Sequence, residues 1–500
     1  MGSFFDTTEK KDASSILSCH YQSLCTRSAL ALDGNKITIN TTLIIIQIHV
    51  WDKATMKKHR SLRRNFTSVR FSFSCRSSSA ILILFGSMLL MLFLDTNPSL
   101  GVLNLVSAYD NGLGLTPQMG WNSWNYFGCN GISETLIKEI AEALISTGLA
   151  DLGYEYINLD DCWQVSRNKT GYIVEDFQKF PSGMAGLSKY VRNELGLKFG
   201  LYSDSGLFTC QRRPGSFGHE RQDAESYREW EIDYLKYDNC YATGLGKGVQ
   251  KRYESMRDAL NQTTTTTDHP IFFGLCEWGI QDPATWAGNV GNSWRTTGDI
   301  QQSWDSILDN LDKNDKWHRY AGPGGWNDPD MLQVGTTTKL TLEEQRSHFT
   351  LWALIKSPLL LANDLRDIPT EILEILSNSE IIALNQDKLG VQGYKRQSQN
   401  GLEVWAGDLE GGDIGVVLFN RSPKTETIEV RFKDLLLENK FQERRRNDLS
   451  SSISVHVRDL WARSDLGVHR DAFEGVVPSH DVIALRLSGI EVAIDLGSIH

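Results

Sequence analysis

Between residues 118 and 364 the chain repeats one pattern: a short apolar run that stops on a polar or aromatic side chain. The runs occupy 118–124, 154–161, 198–204, 234–238, 271–277, 293–299, 324–330 and 358–364. They close on Trp124, Asp160 with Asp161, Asp204, Asp238, Glu277, Asp299, Asp330 and Asp364. Amphipathic stretches lie between them, at 134–147, 185–194, 223–231, 249–260 and 341–355. Eight strands alternating with helices over roughly 270 residues predict a (β/α)8 barrel, which is near 250 residues in its usual form. In such a barrel every strand's carboxyl end opens on one face, and that face carries the active site. A single acidic strand end is ordinary solvation. A succession of them describes an acidic, aromatic mouth, with Lys236 and Arg295 as the nearby cations. No strand is followed by a glycine-rich phosphate loop opening a helix, so a dinucleotide fold is disfavoured.

With 500 residues the chain has room for more than the barrel, which is placed at 109–388. From residue 389 the pattern becomes short alternating strands with turn signals, at 402–406, 415–419, 427–432, 454–459 and 481–487. These predict a C-terminal antiparallel β-sandwich domain over 389–500, interrupted by a polar loop at 440–447 and 450–452. Residues 1–79, rich in Ser, Thr and basic side chains with one apolar run at 43–50, are expected to be a disordered extension. Residues 80–108 follow a basic region that includes Lys57, Lys58, Arg60, Arg63, Arg64, Arg70 and Arg76. They contain an apolar run at 80–94 and end in Val106-Ser107-Ala108, the pattern of a signal peptide or signal anchor. The apolar run falls short of the roughly 20 residues that span a bilayer. A secretory destination is therefore expected, extracellular, in the cell wall or vacuolar, with membrane attachment only if the segment stays uncleaved. The segment lies unusually far from residue 1. A net charge of −11 argues against a nucleic-acid partner. The eight cysteines form no CxxC pair and no Cys/His zinc spacing, so no structural zinc is expected.

An acidic barrel mouth admits two chemistries: divalent-metal catalysis by clustered carboxylates, or glycoside cleavage by a carboxylate pair. None of the strand ends carries a histidine, which disfavours the metal. Glycoside cleavage needs one ionised and one protonated carboxyl, in environments that push their pKa values apart.

The residues around these ends form motifs: Met119-Gly-Trp-Asn-Ser-Trp124, Asn158-Leu-Asp-Asp-Cys-Trp163, Leu201-Tyr-Ser-Asp204, Leu235-Lys-Tyr-Asp-Asn-Cys240, Cys276-Glu-Trp278, Trp294-Arg-Thr-Thr-Gly-Asp299 and Gly324-Gly-Trp-Asn-Asp-Pro-Asp-Met331. In order and content they resemble the α-galactosidases (melibiases) of glycoside hydrolase family 27, in particular the plant type, from about Asn111 onward and including the sandwich. Residues 1–107 fall outside the resemblance. The resemblance implies a retaining enzyme that removes terminal α-D-galactose from oligosaccharides, galactomannans or galactolipids without a cofactor. Asp238 would be the nucleophile and Asp299 the acid/base. Trp124, Asp160, Asp161, Tyr202, Lys236, Glu277, Arg295 and Asp330 would hold the sugar, with Asp160 and Asp161 on the 4- and 6-hydroxyls. Lys236 and Arg295 would help keep Asp238 ionised.

The resemblance also implies disulfides Cys129–Cys162 and Cys210–Cys240, leaving Cys276 as a buried thiol. Asp204 and Asp364 read as structural, Asp328 as an orienting neighbour, and Trp121 and Trp326 as core walls or sugar platforms. Asn168, Asn261 and Asn420 open glycosylation sequons. Rival readings are an α-N-acetylgalactosaminidase, a β-L-arabinopyranosidase and a non-catalytic galactose-binding protein. Glu277 and Ile280 stand where acetamido-accepting relatives carry smaller residues. The pair Asp160 and Asp161 disfavours an arabinoside, and intact Asp238 and Asp299 disfavour a mere binder.

Overall fold

The computed structural model describes residues 29–33, 36–41, 44–49, 109–264, 269–436 and 451–494. Two units are distinct, 1–104 and 105–500. In the first, Ala29–Asp33, Lys36–Thr41 and Ile44–His49 form an antiparallel three-stranded sheet. The signal was local: Asp33 pairs with Lys36 across Gly34-Asn35, a two-residue hairpin signature, and the flanking strands are rich in Ile, Leu and Thr. The rest of the expected extension, 1–79, lies outside the described residues. The expected signal segment, 80–108, lies outside the described residues, as does most of the polar loop at 440–452. Among the described residues no helix is long and apolar enough to cross a membrane.

The second unit is a (β/α)8 barrel followed by an antiparallel β-sandwich. The barrel strands are β1 (Met119–Asn122), β2 (Tyr156–Asn158), β3 (Lys198–Asp204), β4 (Tyr234–Asp238), β5 (Phe272–Leu275), β6 (Ser293–Arg295), β7 (Trp326–Asp328) and β8 (Leu359–Leu361). They pair in parallel in the order β7-β6-β5-β4-β3-β2-β1-β8. Beyond β7 the gap to β8 is bridged by Leu332 N–H donating to the Leu360 carbonyl at 2.9 Å.

Strand β4 shows how sequence alternation builds the wall. Successive side chains of a strand point to opposite faces. Leu235 and Tyr237 join the large apolar core, while Tyr234 packs with Tyr156 and Phe272 in a separate cluster. Lys236 and Asp238 share Tyr234's face, one layer nearer the mouth. Tyr234 needs space that only glycine leaves: a Cβ on Gly200 or Gly274 would lie 2.8 or 2.7 Å from its ring or hydroxyl. The tryptophans serve mainly this core. Trp121 and Trp326 are walls, fully buried, with indole N–H groups donating to Asn363 O at 2.8 Å and Gly114 O at 2.7 Å.

The sandwich comprises β9 (Tyr394–Gln399), β10 (Leu402–Asp408), β11 (Ile414–Asn420), β12 (Glu426–Arg431), β13 (Ser451–Asp459), β14 (Ser464–Arg470), β15 (Ala472–Val477) and β16 (Val482–Ile494). One sheet runs β9-β10-β11-β16-β13-β14, and β12 pairs with β15. Between barrel and sandwich lies helix α1 (Leu342–Leu354), opened by a capping box of Thr341 and Glu344. It is buried on nearly every side, polar Glu344, Gln345, Ser347, His348 and Thr350 included, and so lacks the one solvated face expected of an amphipathic stretch at 341–355. Arg346 pairs with Asp481, Ser347 Oγ donates to His480 O at 2.7 Å, and the Trp461 indole donates to Thr350 Oγ1 at 3.0 Å. Trp405, Val417, Phe419 and Val482 of the sandwich belong to the same apolar core as the barrel.

One sequon is ruled out by packing. The Asn420 amide is fully buried and donates to the carbonyls of Lys424, Val477 and Pro478 at 2.7, 2.9 and 3.0 Å, leaving no room for a glycan in this fold. Asn168 is exposed.

Candidate active site

Asp238 terminates β4 and is almost fully buried. Its Oδ1 accepts from Asn239 N–H at 3.0 Å, and its Oδ2 from the Tyr202 hydroxyl at 3.0 Å. Register places Tyr202 opposite Lys236, and Asp204 opposite Asp238. Burial pushes the Asp238 carboxyl up to about 6, with Lys236 the largest opposing influence and Arg295 a smaller one. The two cations thus favour the ionised form as expected, but desolvation outweighs them.

The turn after β2 supplies Asp160 and Asp161. Asp160 Oδ2 accepts from Lys236 Nζ at 2.8 Å and from Asn122 Nδ2 at 2.9 Å, while Oδ1 accepts from Asp161 N–H at 2.9 Å. Ser123 Oγ accepts the Asp160 N–H at 3.0 Å. Asp161 accepts from the backbone N–H groups of Cys162 and Gln211 at 2.7 and 3.0 Å, and burial pushes its carboxyl up to about 6. Lys236 Nζ also lies 5.3 Å from the centre of the Tyr202 ring. Asn122 and Ser123 were not singled out from the sequence, although they sit inside its first motif. Their role in fixing Asp160 is visible only once β1 and β2 are seen to be neighbours.

Glu277 stands two residues beyond β5 and is fully buried, with neither carboxylate oxygen partnered among the described residues. Burial pushes it up to about 9 against the attraction of Arg295. Arg295, on β6, places Nη2 3.1 Å from Asp299 Oδ1 and 2.9 Å from Asp330 Oδ2. Its Nη1 lies 3.5 Å from the Cys276 sulfur. Asp299 is the exposed member of the set, with 62 % of its side chain accessible. Trp124 is half-buried against Met331, Leu360 and Ala362.

Cys129 is bonded to Cys162 and Cys210 to Cys240, and Cys276 is a buried free thiol. Asp204 joins the loops after β3 and β4, accepting from Gly206 and Cys240 N–H at 2.7 and 2.9 Å. Asp364 pairs with Arg366 at 2.6 Å. Asp204, Asp238, Cys210 and Cys240 come together as metal-type side chains, but both sulfurs are committed to the disulfide, which leaves two carboxylates. A cleft of about 530 Å³ adjoins the site, lined by residues that include Asn239, Cys240, Tyr241, Arg252 and Trp278. The arrangement presents a desolvated carboxylate beside a solvent-facing one, ringed by hydrogen-bonding side chains.

Two family models match the chain: "Alpha galactosidase A" over residues 116–387, and "Alpha galactosidase C-terminal beta sandwich domain" over 399–487. The α-galactosidase of Oryza sativa subsp. japonica is 50% identical over 376 residues, covering 75% of this chain and 85% of the relative. Alpha-galactosidase 2 of Arabidopsis thaliana is 50% identical over 373 residues, covering 74% and 89%. The crystal structure of α-galactosidase I from Mortierella vinacea superposes with a TM-score of 0.69 at 36% identity, covering 76% of this chain and 98% of that one. By the extent of these matches over both barrel and sandwich, the chain belongs to the α-galactosidase family of glycoside hydrolases.

Proposed function

We propose that this chain is a retaining α-galactosidase that cleaves terminal α-D-galactose from oligosaccharides, galactomannans or galactolipids by double displacement. The observation that carries the reading is the pairing of Asp238, buried and held by Tyr202, with Asp299, exposed and tethered to Arg295. In the first displacement an Asp238 oxygen attacks the anomeric carbon as the glycosidic bond breaks. Asp299 gives its proton to the leaving oxygen. In the second, Asp299 takes a proton from water, which attacks the galactosyl ester and frees Asp238. Two inversions retain configuration, and a pair of this kind stands about 5–5.5 Å apart.

The galactose ring would be gripped by Trp124, Asp160, Asp161, Tyr202, Lys236, Glu277 and Arg295. Buried acceptors that require a hydroxyl reject sugars that lack it. The adjoining cleft suits the leaving portion. Glu277 fills space that an acetamido group would need, and Asp160 and Asp161 together favour the galactose hydroxymethyl group over an arabinoside. Proton NMR during hydrolysis of an aryl α-galactoside is expected to show α-galactose first. Initial release of the β-anomer would overturn the retaining mechanism, and faster turnover of the matching N-acetylgalactosaminide would overturn the substrate.

The same reading places the protein in the secretory pathway, bound for the wall, the extracellular space or the vacuole. Two disulfides support an oxidising route. N-terminal sequencing of the protein purified from its native tissue is expected to begin near Ala108 or Tyr109. A sequence beginning at Met1 would refute cleavage.

A further inference from the structure

We propose that Asp330 is a positioning residue that fixes the Asp299 segment, and not a ligand of the sugar. The proposal rests on Asp299 being the acid/base.

Asp330 lies two residues beyond β7 with φ +86°, a left-handed conformation that a non-glycine residue rarely adopts. The surroundings hold it there. Asp328 Oδ1 accepts the Asp330 N–H at 2.8 Å, and the Trp352 indole donates to the Asp330 carbonyl at 2.8 Å. Both oxygens of its carboxylate are already engaged. Oδ1 accepts from Met331 N–H at 2.8 Å. Oδ2 accepts from Ile300 N–H at 2.9 Å and faces Arg295 Nη2 at 2.9 Å.

What Asp330 grips is informative. Ile300 directly follows Asp299, and Arg295 is the residue whose guanidinium touches Asp299 Oδ1. One carboxylate therefore holds both ends of the segment 295–300. Asp299 is solvent-facing, and among the described residues only Arg295 is named as a hydrogen-bond partner of its carboxylate, so its side chain is fixed weakly. An acid that must meet the glycosidic oxygen in one orientation requires a rigid backbone beneath it. Asparagine at 330 would keep the shape but put an amide N–H₂ or a neutral oxygen where Ile300 N–H and Arg295 need a carboxylate.

The test compares leaving groups, because an acid matters for a poor leaving group and little for a good one. Asp330→Asn is expected to lower kcat/KM about a hundredfold on methyl α-galactoside and less than about fivefold on 2,4-dinitrophenyl α-galactoside. Inhibition by free galactose should weaken by less than about threefold, since no sugar contact is lost. Asp330→Glu, which keeps the charge on a longer arm, should show the same split in milder form, and near-UV circular dichroism confirms that either variant is folded. Asp299→Asn is the control. Absence of the split in Asp299→Asn would remove the acid/base assignment and this proposal with it. Presence of the split there, with equal losses on both substrates and weakened galactose inhibition in the Asp330 variants, would return Asp330 to the sugar.

Discussion

Asp238→Ala is expected to lower turnover of any α-galactoside by about 10⁴-fold or more, because without the proposed nucleophile the site retains only binding and orientation. The fold should survive. Asp238 lies at a strand end, and its two named hydrogen bonds come from Tyr202 and Asn239, both of which can turn to water in the enlarged pocket. Circular dichroism and the unfolding midpoint check this, and near-wild-type rates would remove Asp238 from the mechanism. The wild-type enzyme carries a related signature. The nucleophile must be ionised, and burial raises Asp238 to about 6. Activity should therefore fall as pH drops through that region. The limb belongs to the neighbouring carboxylates as a coupled set and not to Asp238 alone.

The second large effect is on stability. At pH 7 a Glu277 carboxyl raised to about 9 is protonated in the fold and ionised in the unfolded chain, where its ordinary value is 4.5. The folded state binds the extra proton, so stability falls as pH rises from about 4.5 toward 9. At pH 7 the penalty is roughly 3–4 kcal/mol, the product of the 2.5-unit gap and about 1.4 kcal/mol per unit. Glu277→Gln leaves the same buried atoms unpartnered, so that part cancels and only the ionisation penalty is removed. The variant should be roughly 3–4 kcal/mol more stable at pH 7 and about as stable as wild type near pH 4.5. Galactoside turnover should fall at least about tenfold from the altered sugar contact. Denaturant midpoints at the two pH values decide it: an equal midpoint at pH 7 would refute the account of a carboxyl stranded by burial. A gain in stability with a loss of activity is expected where a site keeps polar groups unpaired for its substrate.

The barrel was legible because its strands announce themselves twice, by apolar run and by polar terminus. Tyr234 to Asp238 is the plainest case, since Lys236 interrupts an apolar strand at a position that must face inward. The geometry of the remaining ends was less legible. Glu277, Asp299 and Asp330 lie two to four residues beyond their strands, in turns whose course depends on neighbours distant in sequence. Nothing local says that Asp330 reaches Ile300, or that Asp160 is held by Asn122. Sign was harder still. Lys236 and Arg295 beside Asp238 suggest a depressed carboxyl, and only the depth of burial reverses that.

Helix α1 touches the sandwich through Arg346 and Ser347 and the Asp330 carbonyl through Trp352. It is a strut between two places that no sugar connects. Inheritance of damage should follow that strut. On the proposed mechanism, a lesion among residues 460–485, far along the chain from any reacting atom, would loosen the seat of Asp299 and look in an assay like a catalytic fault. Maps of inactivating variants should therefore be drawn on the strut as well as on the mouth.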